Sequence, residues 1–119
     1  MAKYFTDDEF RCKCGKCEGL PRFGMHSRLL TVMDAIREKV GQPVIVTSGY
    51  RCPAHNAAVG GVPDSYHTQG IAADIYCDGV SVDSLAWIAD ECGADGIGRY
   101  YGQGFVHVDV RGWPARWEE

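Results

Sequence analysis

The run Phe105-Val106-His107-Val108-Asp109 constrains this chain more than any other segment. Its β-branched residues favour a strand, and side chains of a strand alternate between two faces. His107 and Asp109 therefore share a face, with Phe105 beside them as a wall. A second block, Ser65-Tyr66-His67-Thr68-Gln69-Gly70-Ile71-Ala72-Ala73-Asp74, fits S-x-H-x-x-G-x-A-x-D. It places His67 on a loop entering a strand and Asp74 on that strand. Gly70, Ala72 and Ala73 allow the backbone to pack closely beside the imidazole.

The elements around these blocks follow from periodicity and caps. Thr6-Asp7-Asp8-Glu9 has capping-box spacing and predicts a short helix over 7–11. Leu29, Leu30, Val32, Met33, Ile36 and Val40 share a helical face, so 27–40 reads as an amphipathic helix capped by Ser27 and stopped by Gly41. Val44–Thr47 reads as a buried strand, and Pro53–Ala58 as one or two helical turns. Residues 60–65 form a loop, 71–76 a strand, and 82–91 a helix capped by Ser81. Strands over 97–101 and 105–110 join through a three-residue loop, Gly102-Gln103-Gly104. This order lacks βαβ regularity and predicts an α+β fold with a small antiparallel sheet flanked by helices.

With 119 residues the chain fits one domain, 1–119, comprising a cysteine-bearing N-terminal segment (1–25), the body and a C-terminal tail (112–119). A net charge of −4 with scattered Arg and Lys gives no footprint for nucleic acid. No apolar run nears the roughly 18–20 residues that cross a bilayer, which excludes membrane insertion. The residues from Met1 to Asp8 lack an apolar signal core, so no signal peptide is expected. A monomer is expected.

Six cysteines leave three states open: disulfides, reduced thiols, or a structural zinc held by Cys12, Cys14, Cys17 and one distant cysteine. Only one C-x-x-C knuckle is present, and sequence alone does not choose among the three. The histidine blocks speak more clearly. Two imidazoles and a carboxylate suit catalytic zinc, with one tetrahedral position left open. Either histidine alone is ordinarily a buried hydrogen-bonding group. Three such ligands with a tight glycine turn have little structural reason to coexist.

Taken with Ser48-Gly49-Tyr50-Arg51, Asn56 and Gly60-Gly61, these blocks make the chain resemble the zinc D-alanyl-D-alanine carboxypeptidases. Those enzymes share the hedgehog/DD-peptidase fold with bacterial and phage murein endopeptidases. The likeness covers residues 44–111 well and extends loosely to Phe10, through a cysteine-bearing segment of the phage type. It implies a zinc-dependent peptidase of the peptidoglycan stem peptide, with zinc held by His67, Asp74 and His107. It also implies that Arg51 binds the substrate carboxylate or the scissile carbonyl oxygen, a role suited to a planar cationic fork.

One position departs from the family pattern. Gly104 stands where several relatives carry a Glu or Asp base, and Phe105 where others carry a histidine. Asp109 is then the leading catalytic candidate, either as general base or as an acceptor orienting a zinc histidine. Tyr66, Tyr100 and Tyr101 are expected along the substrate groove, and Trp113 and Trp117 as staples for the tail. His55 could face the cleft or lie on the surface. Without a leader, the chain fits a phage lysis enzyme, a tail component or a cytoplasmic recycling enzyme. An inactive zinc-binding module or a phage structural protein of the same fold remains the alternative.

Overall fold

The computed structural model describes residues 2–62 and 65–119; Pro63 and Asp64 of the expected 60–65 loop lie outside the described residues. The chain enters through a single 3-10 turn, Asp7–Phe10, where the Glu9 carboxylate accepts the Thr6 N–H at 2.7 Å. This is the capping partner expected from the sequence, but Arg11 turns extended and no further helix forms.

Helix α1 spans Ser27–Val40. Its cap is His26 rather than Ser27: the His26 ring Nδ1 accepts the Arg28 N–H at 3.1 Å, leaving Ser27 as the first helical residue. An imidazole can satisfy an orphan N–H as a hydroxyl does, which residue-type preference alone does not reveal. Gly41 ends the helix at φ +77°, a conformation open to glycine. Leu29, Val32, Met33 and Ile36 are buried, each stabilising the fold by about 1.5–3 kcal/mol.

Strand β1 (Ile45–Ser48), helix α2 (Pro53–Ala58), a 3-10 turn (Tyr66–Gln69), β2 (Ala72–Tyr76) and helix α3 (Val82–Glu91) follow. Ser81 caps α3 as expected, its Oγ accepting the Ser84 N–H at 3.1 Å. Strands β3 (Gly96–Tyr100) and β4 (Phe105–Asp109) form a hairpin whose turn takes four residues, Tyr101–Gly104, rather than three. Gly104, at φ +76°, returns its N–H to the Tyr100 carbonyl at 2.7 Å. The expected tail contains a fifth strand, β5 (Ala115–Glu118).

The sheet order is β1-β2-β4-β3-β5, antiparallel except for β3 with β5. This is an α+β architecture. Period-two alternation divides the sheet's labour. Ala73, Ile75, Ile97, Val106 and Val108 join the apolar faces of α1 and α3 in the core. Asp74, His107 and Asp109 alternate with them on the opposite face. Among the described residues no helix is long and apolar enough to cross a membrane.

Candidate metal centre

Sheet register brings the first two functional groups together. Asp74 on β2 lies directly opposite His107 on β4, and His107 Nδ1 meets Asp74 Oδ1 at 3.1 Å. The third group arrives from the 3-10 turn, capped by Ser65 Oγ on the His67 N–H at 3.2 Å and ended by Gly70 at φ +73°. That turn carries His67 over the sheet, where its Nε2 stands 3.2 Å from the same Asp74 Oδ1. The two rings meet edge to face, with centroids 5.2 Å apart. All three side chains are buried. One donor atom from each lies within 4.8 Å of the others. Two imidazole nitrogens and a carboxylate oxygen converging on one point form a donor set that fits zinc.

Partners behind the rings fix their orientation. His67 Nδ1 lies 2.7 Å from the Gly49 carbonyl, so that nitrogen carries the proton and Nε2 keeps its lone pair for the cluster. His107 Nε2 lies 2.8 Å from Asp109 Oδ2, which leaves Nδ1 facing Asp74. Asp109 is fully buried, and its carboxylate also accepts the Gly96 N–H at 3.0 Å and the Arg111 guanidinium at 2.7 Å. Burial pushes the Asp109 carboxyl up, but hydrogen bonds from His107 and Arg111 outweigh it and hold it well below the usual range. Asp74 behaves alike: burial opposes ionisation, and the two histidines more than reverse it. For His107 burial lowers the pKa, yet Asp109 and Asp74 together raise it.

Arg51 stands beside the cluster after β1. Its Nη2 reaches Asp74 Oδ2 at 3.4 Å, while Nε donates to Ser48 Oγ at 3.1 Å and Nη1 to Asn56 Oδ1 at 3.2 Å. Asn56, itself buried, is tied to the Val62 carbonyl at 2.6 Å. Gly61 is needed here, because a Cβ there would sit 2.2 Å from Asn56 Oδ1.

The cluster opens into a cavity of about 710 Å³ walled by Arg51, Tyr66, Tyr100, Phe105, Arg111 and Trp117. Tyr66 and Tyr100, expected along a substrate groove, both line this cavity, and Phe105 stacks on Tyr100 with centroids 4.4 Å apart. Tyr101 does not line the cavity: its hydroxyl donates to Asp83 at 2.5 Å on the outer surface. His55 is also outside the lining.

Several cavity residues escaped the sequence reading, among them Trp117, Arg111 and Glu119. Trp117, expected as a tail staple, lies with its ring 5.1 Å from that of His107. Parallel pairing sets Gly98 beside Trp117, and Gly98 also opposes His107. A Cβ on Gly98 would lie 2.4 Å from the indole, so the missing side chain makes room for the ring to reach the site. Arg111 is held by Asp109 and lies between the rings of Tyr66 (4.5 Å) and Trp117 (5.2 Å). Continuing the His107, Asp109 alternation by one step would have flagged Arg111. Trp117 gave no comparable signal.

A family model described as Peptidase M15 matches residues 3–109. Over 80 residues the chain is 35% identical to proteins named peptidoglycan L,D-endopeptidase MepK from Escherichia coli and from Shigella flexneri. The alignment covers 63% of this chain and 43% of each of those proteins, so the chain spans less than half of their length.

Proposed function

The chain belongs to the peptidase M15 family, and from that premise we propose that it is a zinc-dependent hydrolase of peptide bonds in the peptidoglycan stem peptide. The observation that carries this reading is the convergence of His67 Nε2, Asp74 Oδ1 and His107 Nδ1 at the floor of a cavity that also presents Arg51. Those three residues would hold the ion. The chemistry it supplies when bound is Lewis acidity, acidifying water and polarising a carbonyl.

The chain's own groups do the rest. Arg51, pinned by Ser48 and Asn56, offers a preset guanidinium for a substrate carboxylate or for negative charge developing on the scissile carbonyl oxygen. Arg111 gives the cavity a second cation, which suits a peptide bearing free carboxylates. Tyr66, Tyr100 and Trp117 supply flat apolar walls with polar edges. Asp109 acts through His107: its oxygens are engaged by His107, Arg111 and Gly96, which suits a positioning carboxylate better than a proton carrier. Glu119 lines the cavity as a carboxylate outside the metal cluster and is the alternative base.

The MepK proteins support an L,D bond as the one cut; the stem-peptide carboxypeptidase reaction is the rival. Incubation with purified peptidoglycan, followed by mass analysis of the products, decides between them. Hydrolysis should stop on chelation, return with zinc, and be absent from His67→Ala. Cleavage that persists in His67→Ala would end this reading.

A further inference from the structure

The function above uses none of the cysteines, yet four of the six gather at one place. Cys12, Cys14 and Cys17 come from the irregular N-terminal segment, and Cys52 from the loop after β1, and their four sulfurs lie within 4.8 Å of one another. The Cys14 and Cys52 sulfurs are 3.7 Å apart. Four thiolates around one zinc at about 2.3 Å stand roughly 3.8 Å from each other, whereas a disulfide needs about 2.05 Å.

Each sulfur also accepts a backbone N–H: Cys14 from Lys16 at 3.3 Å, Cys17 from Gly19 at 3.2 Å, Cys12 from Cys52 at 3.4 Å and Cys52 from His55 at 3.4 Å. Hydrogen bonds aimed at sulfur favour the thiolate, the form that ligates a metal, and four thiols packed for apolar reasons would not need them. Gly15 and Gly19, at φ +72° and +93°, turn the chain back tightly where Cys14 and Cys17 meet Cys12 and Cys52. Cys77 and Cys92 stand apart from the group: Cys77 donates to the Pro43 carbonyl from within the core, and Cys92 caps the end of α3.

We propose that Cys12, Cys14, Cys17 and Cys52 form a tetrathiolate site for a structural zinc ion, separate from the His67, Asp74 and His107 cluster. The segment from Cys12 to Leu20 has no helix or strand, and most of it is exposed, so little apolar burial is available to hold it. A tetrathiolate ion supplies the missing crosslink between chain parts about forty residues apart. Binding releases the protons still carried by the four sulfurs and leaves two negative charges, partly offset by Lys13 and Lys16 in the same loop.

The site also bears on the cavity. Cys52 directly follows Arg51, the Tyr50 N–H donates to the Phe10 carbonyl at 2.8 Å, and the Gly49 carbonyl holds His67. The zinc thus braces the loop that presents Arg51 and fixes the His67 ring; this consequence rests on the function proposed above, while the site itself does not.

Metal analysis of the reduced, purified chain tests the proposal, with cobalt(II) as spectroscopic probe. The His67→Ala/His107→Ala variant should retain one zinc per chain and, loaded with cobalt(II), show the intense sulfur-to-cobalt charge-transfer absorption that an all-nitrogen-and-oxygen site lacks. Cys17→Ser, at an exposed position, should lower that absorption by about a quarter or more and weaken metal affinity in the same background. Should the double variant fail to fold, the same absorption in the wild-type protein carries the test. Its absence from wild type overturns the proposal, as does iron in place of zinc, or a disulfide mapped among Cys12, Cys14, Cys17 and Cys52 in the denatured, unreduced protein. A wild-type protein that holds a single zinc, retained undiminished in the His67→Ala/His107→Ala variant, would refute the catalytic reading and leave this one standing.

Discussion

Replacing Gly96 by alanine adds one methyl group where the Asp109 carboxylate already fills the space. A Cβ there would lie 2.2 Å from Asp109 Oδ2, and 2.5 Å from both Cγ and Oδ1. Ordinary contact begins more than 1 Å further out, so the carboxylate must shift or the strands must part. Asp109 has no slack, being fully buried and bonded to His107, Arg111 and the Gly96 N–H itself. Overpacking of this kind costs about 1–3 kcal/mol. Weakening a charge-assisted hydrogen bond to His107 or Arg111 adds about 1.5–3 kcal/mol. The expected loss is therefore about 2.5–6 kcal/mol. Because His107 would lose its partner, zinc affinity should also fall about 10–100-fold. Urea denaturation with and without chelator measures the first quantity, and competition with a chromogenic chelator the second. Gly102→Ala is the control: it has open space and no positive φ, and its expected effect lies within about 0.5 kcal/mol of zero. Gly96→Ala as stable as Gly102→Ala, with unaltered zinc affinity, would refute the reasoning.

Arg51→Ala should leave zinc bound but reduce hydrolysis about 10²–10³-fold, the scale for removing one oxyanion donor; unchanged kinetics would make Arg51 a purely structural residue. Asp109→Asn should loosen zinc about 10–100-fold, with activity largely regained in excess metal. Glu119→Gln should instead lower the rate about 10²–10⁴-fold at full zinc occupancy if Glu119 is the base, and full activity in that variant excludes it. Asp95 accepts from Arg28 at 2.6 Å and from the Gly112 N–H at 2.8 Å, and the Arg28 bond leads in holding its carboxyl below the usual range. A depressed folded pKa contributes stability above the unfolded value, near 3.9, and loses it as pH falls through the folded one. Asp95→Asn should thus cost about 1–2 kcal/mol at neutral pH and flatten the acid limb of the stability profile below about pH 4; an unchanged acid limb would refute this linkage.

How much of this was legible in the sequence differed by kind of signal. The histidine and aspartate blocks and helices α1 and α3 were readable because each declares itself within about ten residues, through periodicity or a capping serine. Asp109 was readable as to face but not as to role, because alternation sets direction while the Arg111 and Gly96 partners are set by the fold. Strand β5 was missed because Ala115-Arg116-Trp117-Glu118 lacks a run of β-branched residues, and its pairing with β3 depends on the edge that the hairpin leaves open. Gly96 and Gly98 carried no signal of their own in the sequence. In the sheet they are absences, shaped for Asp109 and Trp117.

The alternation along β4 has a consequence for how this protein tolerates insertions and deletions. Even-numbered Val106 and Val108 belong to the core, and odd-numbered His107 and Asp109 to the site. A single codon gained between Phe105 and His107 would reverse that parity, turning an imidazole and a carboxylate toward α1 and α3 and two valines toward the cavity. Such a frame error would abolish metal binding and stability together. The same codon gained in the exposed Tyr101–Gly104 turn leaves parity intact, because a turn absorbs a residue as loop length and passes none of it into the strand. Length variation compatible with a working site should therefore be confined to the turns, and never occur within the five residues of β4.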